Sequence, residues 1–149
     1  MSTLPQADPT VEAALAWSRF LASLRRARAR AAQDPEAELT LPQYLLIAPL
    51  ADEPGRTVGA LASAAGVASP SATRMLDGLE RDGIVRREAS AHDRRAVTVR
   101  LTRAGARVVR VERARLEAKR AMLFEALDPD ERAQAARLLD RLADVLEDM

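Results

Sequence analysis

The 149-residue chain has no cysteine, one histidine, one lysine among its 23 cationic residues and four aromatic side chains. Each scarcity removes a class of chemistry. Without cysteine there is no disulfide, no thiolate metal site and no thiol to sense oxidants, and the composition fits a cytoplasmic protein. The single histidine, His92, has no imidazole or thiolate neighbour with which to hold zinc or copper. The sequence shows no Gly-rich phosphate loop and no nucleophile beside a base. Its scattered carboxylates therefore read as helix surface and not as catalytic pairs. No stretch approaches the roughly 20 apolar residues of a membrane helix, and no basic-then-apolar leader opens the chain. The expectation is a cytoplasmic protein that is not an enzyme, with no cofactor, no metal and no membrane contact.

What remains is alanine, leucine and arginine. Apolar residues make up 48% of the chain and charged ones 30%, which suits a helix-rich globular domain. At this length a chain buries about two-thirds of its unfolded surface, enough for one domain. The net charge of +1 conceals an uneven distribution. Residues 55–105 hold nine arginines against five acids, a net of +4, and residues 128–149 hold three arginines against seven acids, a net of −4. Local charge governs phosphate contact, and arginine suits it because its planar fork donates two parallel bonds.

The basic region begins TVGALASAAGVASPSATRMLDGLERDG. Val58, Leu61, Ala62 and Ala65 give a short helix with one apolar face, closed by Gly66 in the left-handed cap that allows a sharp turn. Ser69 as cap and Pro70 as first helical residue open a second helix that ends before Gly83. Ala72, Met75, Leu76 and Leu79 form its inner stripe. Ser71, Thr73, Arg74 and Asp77 are left outside, near the N-terminal end that enters the major groove in helix-turn-helix proteins. There Arg74 can donate two bonds to a guanine. The plainer alternative is a solvated arginine paired with Asp77 three residues on.

After Gly83 the period changes to an alternation. Val97, Val99 and Leu101 point to one side of a strand and Thr98 and Arg100 to the other, with residues 84–89 as the partner strand. The connecting loop carries His92, Asp93, Arg94 and Arg95, and a slender arginine-tipped loop suits the negative potential of a narrow minor groove. The expected DNA-facing set is Ser69, Ser71, Thr73 and Arg74 on the helix with Arg94 and Arg95 on the loop.

The flanks are helical. Residues 1–9 are polar, contain two prolines and read as a mobile tail, and an apolar stripe from Val11 through Leu24 continues to about Gln33. Thr40 and Gln43 spell a capping box for the next helix, which Pro49 should kink or finish in an irregular turn. Thr102 can cap a long helix running to Leu127. Asp128 and Pro129 start a last one, with Leu138, Leu139, Leu142, Val145 and Leu146 on its stripe. These outer stripes exceed what a 50-residue head can bury, so a homodimer accounts for them better than a monomer.

Residues 39–110, and most specifically DRRAVTVRLTRAG, resemble the MarR family of bacterial transcription regulators through its Asp-x-Arg, an alternating strand and Leu-Thr-x-x-Gly. The resemblance implies a mostly helical winged helix-turn-helix with a small β-wing. Residues 40–105 would be the reading head of a single domain spanning 1–149, and 10–33 with 106–149 the dimerisation helices. It implies a homodimeric regulator, a repressor on a pseudo-palindromic stretch of double-stranded DNA. Asp93 and Arg95 would form the wing pair and Arg74 a DNA-facing position. It also implies a small-molecule effector in a cleft between the outer helices and the head, for which Trp17, Phe20, Tyr44 and Arg107 are candidate lining residues. Packing of the dimer core is the plainer role for Trp17. A ligand-independent winged-helix module of architectural or co-regulatory type is the alternative function.

Overall fold

The computed structural model describes residues 8–90 and 96–149. Its elements, in chain order, are α1 (Pro9–Ala32), α2 (Leu41–Ile47), a 3₁₀ turn (Ala48–Ala51), β1 (Arg56–Thr57), α3 (Val58–Ala65), α4 (Ser69–Arg81), β2 (Val85–Ala89), β3 (Val97–Leu101), α5 (Arg103–Glu125) and α6 (Pro129–Glu147). This is the mostly helical winged helix-turn-helix that the residue pattern implies.

Local capping explains most of the boundaries. Asp8 accepts from Thr10 N–H at 2.9 Å, so α1 opens at Pro9, one residue before the start expected at Thr10. The Thr40 hydroxyl accepts from Gln43 N–H while the Gln43 side chain accepts from Thr40 N–H, the expected reciprocal box. Pro49 has no N–H to give the carbonyl of Leu45, and α2 accordingly stops at Ile47 and tightens into the 3₁₀ turn. Gly66 sits at φ 64° and lets Val67 N–H return to Ala62 O at 3.0 Å, which makes the turn between α3 and α4. Asp128 and Glu131 cap α6 reciprocally, with Pro129 in its first turn.

The start of α4 differs from expectation. Ala68 is its cap residue, no side chain caps it, and Ser69 already lies inside the helix ahead of Pro70. The signal misleads because a proline is tolerated anywhere in a first turn whose N–H groups lack helical partners, so it does not fix which residue before it is the cap.

The sheet runs β1-β3-β2, all antiparallel, with Arg87 opposite Val99 and Val85 opposite Leu101. Strand β1 was not legible, because two residues carry no alternation. It pairs Arg56 with Val99 and Thr57 with Thr98. The expected apolar side of β3 is only partly buried. Val99 is buried and Leu101 packs against the core, but Val97 is 51% exposed, while Thr98 is buried and its hydroxyl donates to Glu88 O at 3.4 Å. Val97 lies where the ribbon leaves the head, and nothing in the described chain covers it.

One core holds the head together. It runs from Leu39 through Leu46, Ile47, Leu50, Leu61, Leu76, Leu79 and Val99 to Val108 and Val109 in the first turns of α5. Helices α1 and α6 bury no residue at all. Leu15, Phe20, Met122, Leu123, Leu142 and Leu146 are among the large apolar side chains left exposed. Among the described residues no helix is long and apolar enough to cross a membrane.

The tightest approach is that of α5 to the end of the helix-turn-helix. Thr102 N–H donates to Ile84 O at 3.0 Å, its hydroxyl donates to Gly83 O at 2.6 Å, and the same oxygen caps Gly105 N–H. A Cβ on Gly105 would lie 1.9 Å from the Ile84 carbonyl oxygen. Alanine is the better helix former by about 1 kcal/mol, but the Ile84 carbonyl is fixed by Thr102 and cannot retreat. Overpacking of this kind costs about 1–3 kcal/mol after relaxation. Gly105→Ala should therefore lower the stability read by denaturant unfolding, and a midpoint equal to or above wild type would show that the approach is looser than described.

Candidate nucleic-acid interface

Helix α4 presents the expected outer face. Ser69, Thr73, Arg74 and Asp77 are exposed and Ser71 is half-buried, while Ala72, Leu76 and Leu79 turn into the core. The Thr73 hydroxyl donates to Ser69 O at 3.0 Å, which leaves its oxygen free to accept. Arg74 has no ion-pair partner among the described residues. The pairing with Asp77 weighed from the sequence is not made, because that carboxylate turns to the sheet and takes Arg87 of β2 at 2.7 Å.

Arg87 is the centre of a small network. One arm of its guanidinium reaches Asp77 and another Glu80, and its backbone N–H donates to Glu80 Oε1 at 3.0 Å. Partial burial pulls the Arg87 pKa down, but the hydrogen bonds it donates to the Asp77 and Glu80 carboxylates outweigh it and hold the guanidinium above the ordinary arginine value. Beside it, Glu88 bridges Arg86 at 2.7 Å and Arg100 at 3.0 Å. Three of the acids that dilute the basic head are thus engaged internally. At the ribbon's far end Ser90 N–H donates to Ala96 O at 2.8 Å. His92, Asp93, Arg94 and Arg95 lie outside the described residues, as do residues 1–7 of the tail.

The residues read as ligand-lining do not converge. Trp17 and Phe20 sit exposed on α1 with ring centroids 6.4 Å apart. Arg107 on α5 reaches Glu38 at 3.5 Å. Tyr44, buried in α2, lines an open cleft of about 400 Å³ with Arg113, Leu116, Glu117 and Arg120 of α5, and Trp17, Phe20 and Arg107 are not part of its wall. Arg113 donates to both oxygens of Asp52, at 3.0 and 3.4 Å, and these bonds, with the Tyr44 hydroxyl adding to them, raise its pKa above the usual arginine value. Arg115 pairs with Asp34 across the same joint.

Arg87 and Arg113 are the two residues that the sequence reading missed. Their partners are 7 to 10 and 61 residues away along the chain, so no local spacing marks them. For Arg113, its place one helical turn from Val109 and near Leu116, on the inward side of α5, was the available signal.

Residues 39–97 match the model described as MarR family. An uncharacterized HTH-type transcriptional regulator of Mycobacterium leprae is 35% identical over 136 residues, spanning 89% of this chain and 95% of that protein. FabT of Streptococcus pneumoniae, solved in complex with DNA, has the same fold with a TM-score of 0.77 and 23% identity, over 95% of this chain and 99% of that one. The PcaV transcriptional regulator of Streptomyces coelicolor matches with a TM-score of 0.71 and 25% identity, over 89% of this chain and 98% of that one, and has also been solved in complex with its natural ligand.

Proposed function

Because the chain belongs to the MarR family of DNA-binding transcription regulators, we propose that it acts as a repressor, a homodimer that occupies a pseudo-palindromic operator and is released by a small organic ligand. The observation that carries this reading is Arg74, exposed on the outer face of α4 with no described ion-pair partner beside acids that are drawn away. A guanidinium so placed is available to the O6 and N7 of guanine. Ser69, Ser71 and Thr73 flank it as phosphate or base contacts, and Asp93, Arg94 and Arg95 complete the interface from the wing. FabT, which shares the fold, was solved with DNA.

The dimer is supported by what the single chain leaves open. Full burial of a large apolar side chain is worth about 1.5–3 kcal/mol, and most of those on α1, at the end of α5 and on α6 are left exposed to water. A second copy can cover these stripes symmetrically. Sedimentation should give a dimer at micromolar concentration bound to half-sites roughly 10 base pairs apart, and a monomer under those conditions would sink the proposal.

The two arginine positions should separate by effect. Arg74→Ala is expected to cost about 1–3 kcal/mol of operator affinity and to relax the preference at one position per half-site. Arg95→Ala should weaken all duplexes more evenly and flatten the salt dependence, since it removes a cationic contact. Wild-type binding by both variants to a duplex selected from a random library would rule out this interface.

Release is assigned to an organic ligand because the chain offers no thiol and a single histidine. Tyr44, Arg113 and Arg120 around one cleft suit an aromatic carboxylate, and PcaV is known with its natural ligand. Trp17, Phe20 and Arg107, which do not line that cleft in the single chain, are proposed to approach a bound ligand only once a second copy is in place. A ligand that binds the DNA-incompetent arrangement a hundredfold better supplies about 2.7 kcal/mol per site, whereas equal affinity for both shifts nothing. In gel shifts the complex should withstand hydrogen peroxide, zinc and copper and yield to a member of a panel of aromatic carboxylates and phenols. Release by peroxide or metal with none by the panel would overturn the assignment.

A further inference from the structure

We infer that Arg87 is a positioning residue, a brace that fixes the wing against the recognition helix so that both engage one duplex together. The inference rests on the DNA-binding reading above and concerns how the two contact elements are held. Helix α4 and strand β2 meet at a bend closed by Gly83, at φ 72°, and by the bond from Ile84 N–H to Leu79 O at 2.8 Å. A bend held only at its vertex can open and close. Arg87 lies three residues beyond Ile84, and its guanidinium crosses the mouth of the bend to Asp77 at 2.7 Å and to Glu80, whose other oxygen takes the Arg87 backbone N–H. The brace therefore ties two positions of the helix to both the side chain and the main chain of one strand residue.

The side chain is suited to this and to little else. At 24% exposure it is the most enclosed of the three partners, against 54% for Asp77 and 38% for Glu80, so it is poorly placed to reach a phosphate itself. A planar fork can hold two carboxylates at once where a lysine holds one point contact. Two contact elements fixed at the spacing a duplex requires bind as one unit, and loss of that spacing forfeits part of the gain from linking them.

The test compares two duplexes. The first is selected by the wild-type chain from a random-sequence library, and the second is the same duplex trimmed of the base pairs outside the recognition-helix half-sites. Arg87→Met and Glu80→Ala are each measured on both, and the ratio of the two affinities is read, so that a partly unfolded preparation scales both alike. The expected result is a loss of about tenfold in that ratio for both variants, with little change on the trimmed duplex. Glu80→Ala is the sharper variant. It removes a negative charge from the basic head, so on charge alone it should tighten binding, whereas loss of the brace weakens it on the full duplex. An unchanged ratio for either variant, or tighter binding of the full duplex by Glu80→Ala, would overturn the inference and leave the regulatory reading standing. If the wild-type chain enriches no duplex, the function proposed above fails and the inference falls with it.

Discussion

The structure depends on the contact between the first turn of α5 and the Gly83-Ile84 bend. Thr102 donates to Ile84 O and Gly83 O while its hydroxyl oxygen accepts from Gly105 N–H, which brings the start of a 23-residue helix against the exit of the recognition helix. A glycine at position 105 is the condition for it, since any side chain there would enter the Ile84 carbonyl. Everything on either side takes its direction from this point. Upstream it sets where α4 ends and β2 begins, and downstream it seats Val108 and Val109 in the core and aims the rest of α5 away from the head.

Charge is organised around the same bend. An arginine-rich head with carboxylates scattered through its sequence would be a weak phosphate binder if every acid faced outward with equal freedom. Asp77 and Glu80 are instead absorbed by Arg87, and Glu88 by Arg86 and Arg100. These acids still count in the sum, but as half-exposed ion pairs they act as braces and hold arginines in register. Such pairs contribute little stability singly, about 0–1 kcal/mol each, so their value here is geometric. The net charge of the chain therefore describes its partners poorly, and the distribution of unpaired arginines describes them better.

What could be read from the sequence was whatever is local. The Thr40–Gln43 box, the Gly66 turn, the interruption at Pro49, the Thr102 cap and the Asp128–Pro129 start are all decided within three or four residues, and each is found. The cap of α4 shifted by one residue because Ala68 and Ser69 both fit ahead of Pro70 and only backbone geometry chooses between them. Strand β1 is too short to carry a period. The burial of Thr98 and exposure of Val97 follow from where the ribbon passes the edge of the head, which alternation alone does not encode. At the candidate site, the outward position of Arg74 was legible from helical periodicity. The partner that Asp77 takes was not, because Arg87 reaches it from another element. The same non-locality hid Arg113, whose partner Asp52 lies on the turn after α2.

Helix α5 belongs to both halves of the molecule, and this bears on how a signal can cross it. Its first turns are part of the head core, while Met122 and Leu123 near its end are among the most exposed apolar side chains. The joint between these regimes is fastened by Arg113 to Asp52, and by Arg115 to Asp34. At 1.5 Å per residue the helix spans on the order of 35 Å, so a small change of angle at the joint becomes a large displacement at the far end. The Tyr44 cleft opens at that joint and shares Arg113 with it. On the proposed reading, a ligand carboxylate there competes with Asp52 for one guanidinium. On the same proposal, that competition alters the angle between head and outer helix, and with it the spacing of the two heads proposed for a dimer.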